Sequence, residues 1–585
     1  MKRKRVLEDL LHIKKRQKNS LWNDLFGNVG EIWVSASAIK NYMLNDPLID
    51  WLHLYWQKKT RNATPRYQQD SFIKHLCDMG IDFEAQVITV FYDKFGDNIK
   101  KVLADFNDLS LDKMQDTIDL MKKGIPIIEQ AVLYNKTNKT FGVADLIIRS
   151  DWFNKIFNKN MLSESEETMP CKFSEKYHYR VIDIKLSSVR LCSNSCRIRN
   201  GSRMAAYKGQ LTIYNAALGD IQGFIPNSAY ILSKTYIRGK KQISWQDFDL
   251  LGEIDFVDFD RSYIDKTNKA ISWIRNVKTN GMNWIVNPPS VPELYPNMSN
   301  RYDSPFRGIK QEIASEIKEI TQIWMVGHKQ RTIAHSVNVL TWDKCDSEIL
   351  GMNNSSRANV VDQIIQQNIS EELFMPKKIE NNINNWQLES DDDFYIDFET
   401  INVDFINVEY PDKIMIFMIG IWYQDEYKSF IAYNVSMLDE YDIIDNCMKY
   451  LYSKSSRPRL FHWSHAEPSM FNKANIRHND IWNKYIDNIE WIDMYKIFTQ
   501  EPITIKNCFT YSLKDIAKNM FHHGMISTTW NNDISNGMNA MLQSIKYYKD
   551  KNNNTEIMIN IEKYNKVDCK VLHEIMQYLR KKIDF

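Results

Sequence analysis

The chain of 585 residues has room for about two to four domains. Its 25% charged and 12% aromatic content is that of a folded chain and excludes a disordered one. Net charge is only +1, but residues 1–18 hold eight Lys/Arg against Glu8 and Asp9, a net +6 that leaves about −5 for the remainder. A global basic field is therefore excluded, and any nucleic-acid contact in the body must come from local patches.

The sequence also argues against several other classes. The longest apolar run, IMIFMIGIWY (414–423), is too short to span a bilayer, and no apolar leader follows the basic start. Cys192-x3-Cys196 has no second pair, which argues against a zinc or iron–sulfur site. No G-x-x-x-x-G-K-[ST] loop occurs, which argues against a nucleotide-driven motor. An intracellular, soluble chain with reduced thiols and no membrane partner is expected.

In chain order, residues 1–28 form a basic tail. Lys2-Arg3 and Lys14-Lys15-Arg16 fit a bipartite nuclear-import signal, a basic helix on phosphates, or a solvated tail. Residues 29–298 alternate helical and β-rich patterns. MGIDFEAQVITVF predicts an amphipathic helix with Glu84, and TFGVADLIIR (140–149) a strand with Asp145. In YRVIDIKLSS (179–188), Ile182, Ile184 and Leu186 alternate with Val181, Asp183 and Lys185, so an acid and a base share one strand face. GQLTIYNAAL sets Gln210 and Tyr214 at i, i+4 on a helix. The Ser/Glu-rich stretch 155–176 reads as an inserted loop.

Residues 299–388 read as mostly helical. ITQIWMVGHKQRTIAHSVNVLTWDKC (320–345) predicts a helix, a tight V-G-H turn and a second helix, faintly like a helix–hairpin–helix. Such a turn would offer backbone N–H groups to a phosphate, with Lys329 and Arg331 beside it; an ordinary connector is the alternative. From 389 to 585 a second α/β pattern runs through strands at 394–400, 414–423 and 428–434 and a helix near 438–453.

FYIDFETI (394–401) puts Asp397 and Glu399 on one face of an apolar strand, with Phe394, Ile396 and Phe398 on the other. Two buried carboxylates are costly unless something positive sits between them. Downstream, LFHWSHAEPSMF offers Glu467, with His462 and His465 as local alternatives. EKYNKVDCKVLHEI offers Tyr564 and Asp568 one helical turn apart.

The order D-x-E, an acid after a short strand, then Y-x-x-x-D resembles the RNase H-like DnaQ/DEDD exonucleases, over roughly 390–580. The strand-plus-helix entry at Asp493 and the helix YSLKDIAKNMF (511–521) agree with that resemblance. Glu467 departs from it, because the family has Asp at that point. The resemblance implies that Asp397, Glu399, Glu467 and Asp568 hold two Mg²⁺ or Mn²⁺ ions, and that the Tyr564 hydroxyl orients the attacking water.

The order G-x-x-x-E, G-x-x-D, D-x-K, Q-x-x-x-Y resembles the RecB-like branch of the PD-(D/E)XK nucleases, over roughly 30–240. It implies Glu84, Asp145 and Asp183 as metal ligands and Lys185 as the residue that polarises water or offsets charge. Gln210 and Tyr214 would position the substrate strand. The long spacing from Asp145 to Asp183 departs from the family. The combination resembles predicted RecB-like nucleases of microbes and large DNA viruses.

The expected architecture is multidomain α/β, comprising a PD-(D/E)XK mixed sheet (29–298), a helical connector (299–388) and an RNase H-like domain (389–585). The expected activity is metal-dependent hydrolysis of phosphodiester bonds at two centres, on DNA in preference to RNA, in repair, recombination or processing. Two alternatives stay open. In one, only the PD-(D/E)XK centre is active and the RNase H-like domain is a clamp. In the other, the chain is a non-enzymatic scaffold.

Overall fold

A computed structural model describes residues 32–583 apart from 61–70, 105–108, 158–160, 202, 246–247, 249, 380, 382–384, 407, 531–536 and 553. The basic tail, with its nuclear-import and phosphate-binding alternatives, lies outside the described residues. The chain divides into two compact units, Met1–Ile313 and Ala314–Phe585. No helix among the described residues is long and apolar enough to cross a membrane.

The first unit is built on a mixed eight-stranded sheet. Its elements are α1 (Ser71–Phe95), β1 (Ile99–Lys101), α2 (Leu111–Lys122), β2 (Ile127–Asn135), β3 (Thr140–Arg149), β4 (Tyr179–Arg190), α3 (Met204–Gln222), β5 (Ser228–Arg238), β6 (Lys241–Ser244) and β7 (Gly252–Asp255). The strand order is β1-β2-β3-β4-β5-β6, with β7 beside β5 and the short strand Val34–Ser35 beside β3. β3 and β4 pair antiparallel from Leu146↔Ile182 to Arg149↔Tyr179. β4 and β5 run parallel, which requires the α3 crossover between them.

The spacing of Phe83, Val87 and Phe91 gives α1 one apolar stripe, and it packs on Ile182, Ile184, Tyr230 and Leu232. The 155–176 stretch contains a short helix, Glu164–Glu167, closed by a capping box in which Ser163 Oγ accepts from Glu166 N and the Glu166 carboxylate accepts from Ser163 N. The β3–β4 pairing resumes intact after it.

The second unit contains α4 (His328–Ser336), α5 (Ala358–Ile369), β8 (Asp393–Asn402), β9 (Ile414–Tyr423), β10 (Glu426–Ile431), α6 (Met437–Lys454), β11 (Arg459–His462), α7 (Ala466–Arg477), β12 (Glu490–Asp493), α8 (Leu513–His522), α9 (Gly537–Lys549) and α10 (Thr555–Lys582). Its five-stranded sheet has the order β10-β9-β8-β11-β12. The first three strands pair antiparallel, and β11 and β12 lie parallel to β8. β8 is central, with Asp397 opposite Gly420 on β9. Val360, Ile364, Trp386, Leu572, Ile575 and Leu579 share one core, so residues between 314 and 388 pack with the five-stranded sheet and α10.

The middle segment departs from the expected helix–turn–helix. The helix expected from Ile320 does not form: the preceding helix, Arg307–Glu316, ends before it, Lys318 and Met325 take positive φ, and only a 3₁₀ turn forms at Ile320–Gln322. The cause is Glu319, whose carboxylate accepts from Thr321 N at 3.1 Å, from the Thr321 hydroxyl at 2.9 Å and from Arg331 Nη1 at 3.0 Å. Arg331 is therefore buried in an ion pair and is not a surface contact for phosphate. Gly327 N also donates inward, to Gln330 Oε1 at 3.1 Å. Lys329 is exposed on α4.

Candidate active site

In the second unit, the period-two geometry of β8 sends Asp397 and Glu399 towards α10, which carries Tyr564, Asn565 and Asp568 on its buried face. Ligand atoms of Asp397, Glu399 and Asp568 all lie within 4.8 Å of one another, the only such His/Cys/Asp/Glu group among the described residues. The close approach of α10 depends on Gly420. A Cβ there would sit 1.6 Å from Asn565 Oδ1, which only glycine avoids.

Asn565 fixes the group. Its Nδ2 donates to Asp397 Oδ2 at 2.7 Å, while its Oδ1 accepts from the Tyr427 hydroxyl at 2.9 Å. A carboxylate can only accept, so this pairing sets which way the amide faces. Trp530 Nε1 donates to Asp568 Oδ1 at 3.1 Å. Tyr564 also hydrogen-bonds Asp568, and burial with the surrounding carboxylates pushes its hydroxyl pKa far up, so it stays protonated.

The electrostatics show a deficit of positive charge. Burial first, then repulsion from Asp568, Glu399 and Glu467, holds Asp397 well above the usual carboxylate range. Burial and Asp568 do the same to Glu399, and burial pushes Asp568 up to about 7. Lys514 on α8 attracts all three; its Nζ lies 4.5 Å from the Tyr564 ring centre and 5.5 Å from that of Trp530.

Glu467, in the first turn of α7, raises all three of those pKa values but lies outside the 4.8 Å group. Its Oε2 is buried 3.4 Å from His462 Nδ1, and neither atom has a hydrogen-bond partner among the described residues. Asp493 caps the helix that follows β12, accepting from Lys496 N at 3.3 Å, and accepts from Ser464 N at 3.0 Å. Three crowded oxygen donors of raised pKa, Glu399 and Asp568 buried and Asp397 half-buried, and a fourth carboxylate with one oxygen unsatisfied among the described residues suit a hard divalent cation.

In the first unit the expected residues also converge, more widely spaced. Asp145 Oδ2 accepts from Ile184 N at 2.7 Å across the β3–β4 pair. Asp183 is buried, with Lys185 Nζ 2.5 Å from its Oδ2; no hydrogen bond to another described residue satisfies either oxygen. Burial, with repulsion from Asp183, holds Asp145 well above its usual range, and burial raises Glu84 too. Burial opposes the Lys185 charge, yet Asp183 and Asp145 keep its proton on well above the ordinary lysine range.

Gln210 Nε2 donates to the Tyr214 hydroxyl at 2.7 Å. The glycine of G-x-x-D has a steric reason, since a Cβ on Gly142 would lie 2.3 Å from the Tyr214 ring. Gly80 of G-x-x-x-E has no neighbour within 4 Å of such a Cβ.

The sequence did not flag Gln130, Asn565, Lys514 or Trp530. Gln130 falls opposite Asp145, between the Glu129↔Leu146 and Ala131↔Ala144 pairs, with φ +51, and its Nε2 donates to Glu84 Oε1 at 2.6 Å. For Asn565 a signal existed: it lies three residues before Asp568, on the same face of a helix.

A central strand with two acids, antiparallel neighbours on one side and parallel strands on the other, closed by an acid-bearing final helix, defines an RNase H-like domain. Residues 394–580 match the family model of the RNase H superfamily. Domains of that superfamily carry nucleic-acid-processing, metal-dependent, nuclease-like functions. No curated protein matches the chain.

Proposed function

We propose that the protein is a metal-dependent nuclease with two centres, acting on DNA in preference to RNA. The C-terminal centre would be a DnaQ-type 3′ trimming site, and the N-terminal centre a RecB-like PD-(D/E)XK site that cuts single strands or ends. The observation that carries this proposal is the close-set Asp397–Glu399–Asp568 group inside the segment that matches the RNase H superfamily.

Asp397, Glu399 and Asp568 would hold Mg²⁺ or Mn²⁺, with Glu467 nearby. The cation supplies charge neutralisation at the attacking and leaving oxygens of a phosphodiester. The chain's own residues do the rest. Asn565 holds the Asp397 carboxylate in one orientation, and Trp530 and Tyr564 do so for Asp568. Tyr564 keeps its proton, so it serves as a hydrogen-bond donor and not as a base. In the first unit Glu84, Asp145 and Asp183 would be ligands. Lys185, with its proton held, offsets negative charge as the phosphate reacts and does not take a proton from water.

A second reading keeps only the N-terminal centre active. It is favoured by one observation, the place of Glu467 outside the three-carboxylate group. Cleavage of end-labelled single- and double-stranded DNA and RNA in Mg²⁺ or Mn²⁺ separates the two readings. With D183N, D397N and the double variant, the two-centre reading predicts a partial loss in each single variant. In the double variant the loss is at least ~10²–10³-fold. Undiminished cleavage by the double variant contradicts both readings. Loss only in D183N selects the one-centre reading.

A further inference from the structure

The β4 strand continues past Lys185 with a bulge. Lys185 pairs with Ser233, Ser188 with Thr235 and Arg190 with Ile237, so one extra residue sits between Lys185 and Ser188. That residue returns Ser188 and Arg190 to the face that carries Asp183 and Lys185. The chain then folds back as a small hairpin. Leu191 and Ile198 bridge and are buried, and Arg199 N donates to Arg190 O at 2.9 Å. Arg190 and Arg199 thus stand opposite each other, both exposed.

Like charges directly opposite each other on paired strands are destabilising. Acids are close by, and they pair with Arg197: Asp255 at 2.8 Å and Asp258 at 3.3 Å. Among the described residues, no carboxylate pairs with Arg190 or Arg199. The hairpin is also held in place. Buried Lys208 Nζ donates to Ile198 O at 2.7 Å and Asn200 Oδ1 at 2.8 Å, with Asp260 Oδ1 at 2.5 Å as its counter-ion.

The start of α3 adds to this surface. Arg203, Tyr207, Gln210 and Tyr214 recur at intervals of four, three and four, and so share one helix face. The Tyr207 ring centre lies 5.7 Å from Lys185 Nζ and 5.7 Å from the Arg203 guanidinium. One aromatic side chain therefore spans from the Asp183–Lys185 centre to the hairpin end of the helix.

We propose that Arg190 and Arg199 take the phosphates of a single nucleic-acid strand that enters the Asp183–Lys185 centre along this face. Arg203 and Tyr207 guide it between, Tyr207 by stacking on a base. The five residues from Lys185 to Arg190 span roughly 17 Å at ~3.3 Å per residue, too far for one phosphate to touch both ends. A strand's phosphates neutralise the opposed arginines, which explains a pairing that otherwise only costs stability. A cationic groove with an interleaved aromatic is the chemistry that holds single strands without reading sequence. This inference rests on the N-terminal centre acting on nucleic acid.

The test is fluorescence anisotropy of a labelled oligothymidylate with the full chain in EDTA, at a series of KCl concentrations. Each phosphate contact to a single strand contributes about 0.7 to the slope of log affinity against log salt, so R190Q/R199Q should bind more weakly and lower that slope by about 1.4. R190K/R199K should retain the slope, because charge is what matters. K122Q/K123Q, at the exposed end of α2, should leave it unchanged. Superimposable curves for R190Q/R199Q and wild type at every salt overturn the inference, as does a wild-type chain that does not bind the strand. Comparing D183N/D397N with D397N alone separates this from the catalytic reading. If they cleave alike while R190Q/R199Q loses affinity, the track stands and the catalytic role of Asp183 falls.

Discussion

At the scale of single residues, Asn565 and Gly420 decide whether three carboxylates can be held together. Gly420 lets α10 approach β9, and Asn565 then spends one amide on Asp397 and on Tyr427 at once. N565A should leave the fold in place and free the Asp397 carboxylate to rotate. Turnover on single-stranded DNA, or Mn²⁺ affinity, should fall roughly 10–100-fold. N565D should be worse, because it replaces the donor with a further negative charge. A turnover and Mn²⁺ affinity equal to wild type for N565A would remove Asn565 from the site. The ligand candidates themselves were legible, because two acids on one face of an apolar strand and a Tyr–Asp pair one helical turn apart are unusual in one sequence. Asn565, Gln130 and Lys514 were not, since polar residues on amphipathic helices and strands are ordinary until the fold brings them against an acid.

At the scale of elements, the β8–β9–β10 strands and α6 followed the sequence pattern closely, because period-two and period-3.6 signals there are long and uninterrupted. The stretch from Ile320 to the V-G-H turn did not, because a local side-chain cap by Glu319 outcompetes helix propensity. The same competition buried Arg331, which a surface pattern would leave in solvent.

The β4 strand supplies a pH prediction. Arg180 Nε donates to His178 Nε2 at 2.9 Å, so the His178 proton sits on Nδ1, facing Met169 O at 3.1 Å. Burial and Arg180 push the His178 pKa down to about 4. The unfolded chain then binds more protons than the folded one between about pH 6.5 and pH 4, so this contribution is present above 6.5 and lost as pH falls. The loss should reach about 2 kcal/mol by pH 5. Urea midpoints of wild type should drop over that range more steeply than those of H178Q; parallel curves would contradict this.

At the scale of the whole molecule, two units each gather buried and half-buried acids from distant stretches of chain. In the first, Lys185 lies among them; in the second, the acids crowd more closely and Lys514 is the cation that attracts them. A net charge of +1 fits this arrangement, because the cations that matter are local: Lys185, Lys514 and the Arg190–Arg199 pair. The account rests on Asp397, Glu399 and Asp568 being metal ligands, and Mn²⁺ binding followed by electron paramagnetic resonance tests that most directly. Replacing two mutually repelling carboxylates with amides should not lower the melting temperature of D397N/D568N in EDTA, so lost binding would not reflect unfolding. The account predicts that D397N/D568N binds fewer Mn²⁺ ions than wild type and that D183N/D397N/D568N binds fewer still. Equal Mn²⁺ stoichiometry and affinity in D397N/D568N and wild type would contradict it.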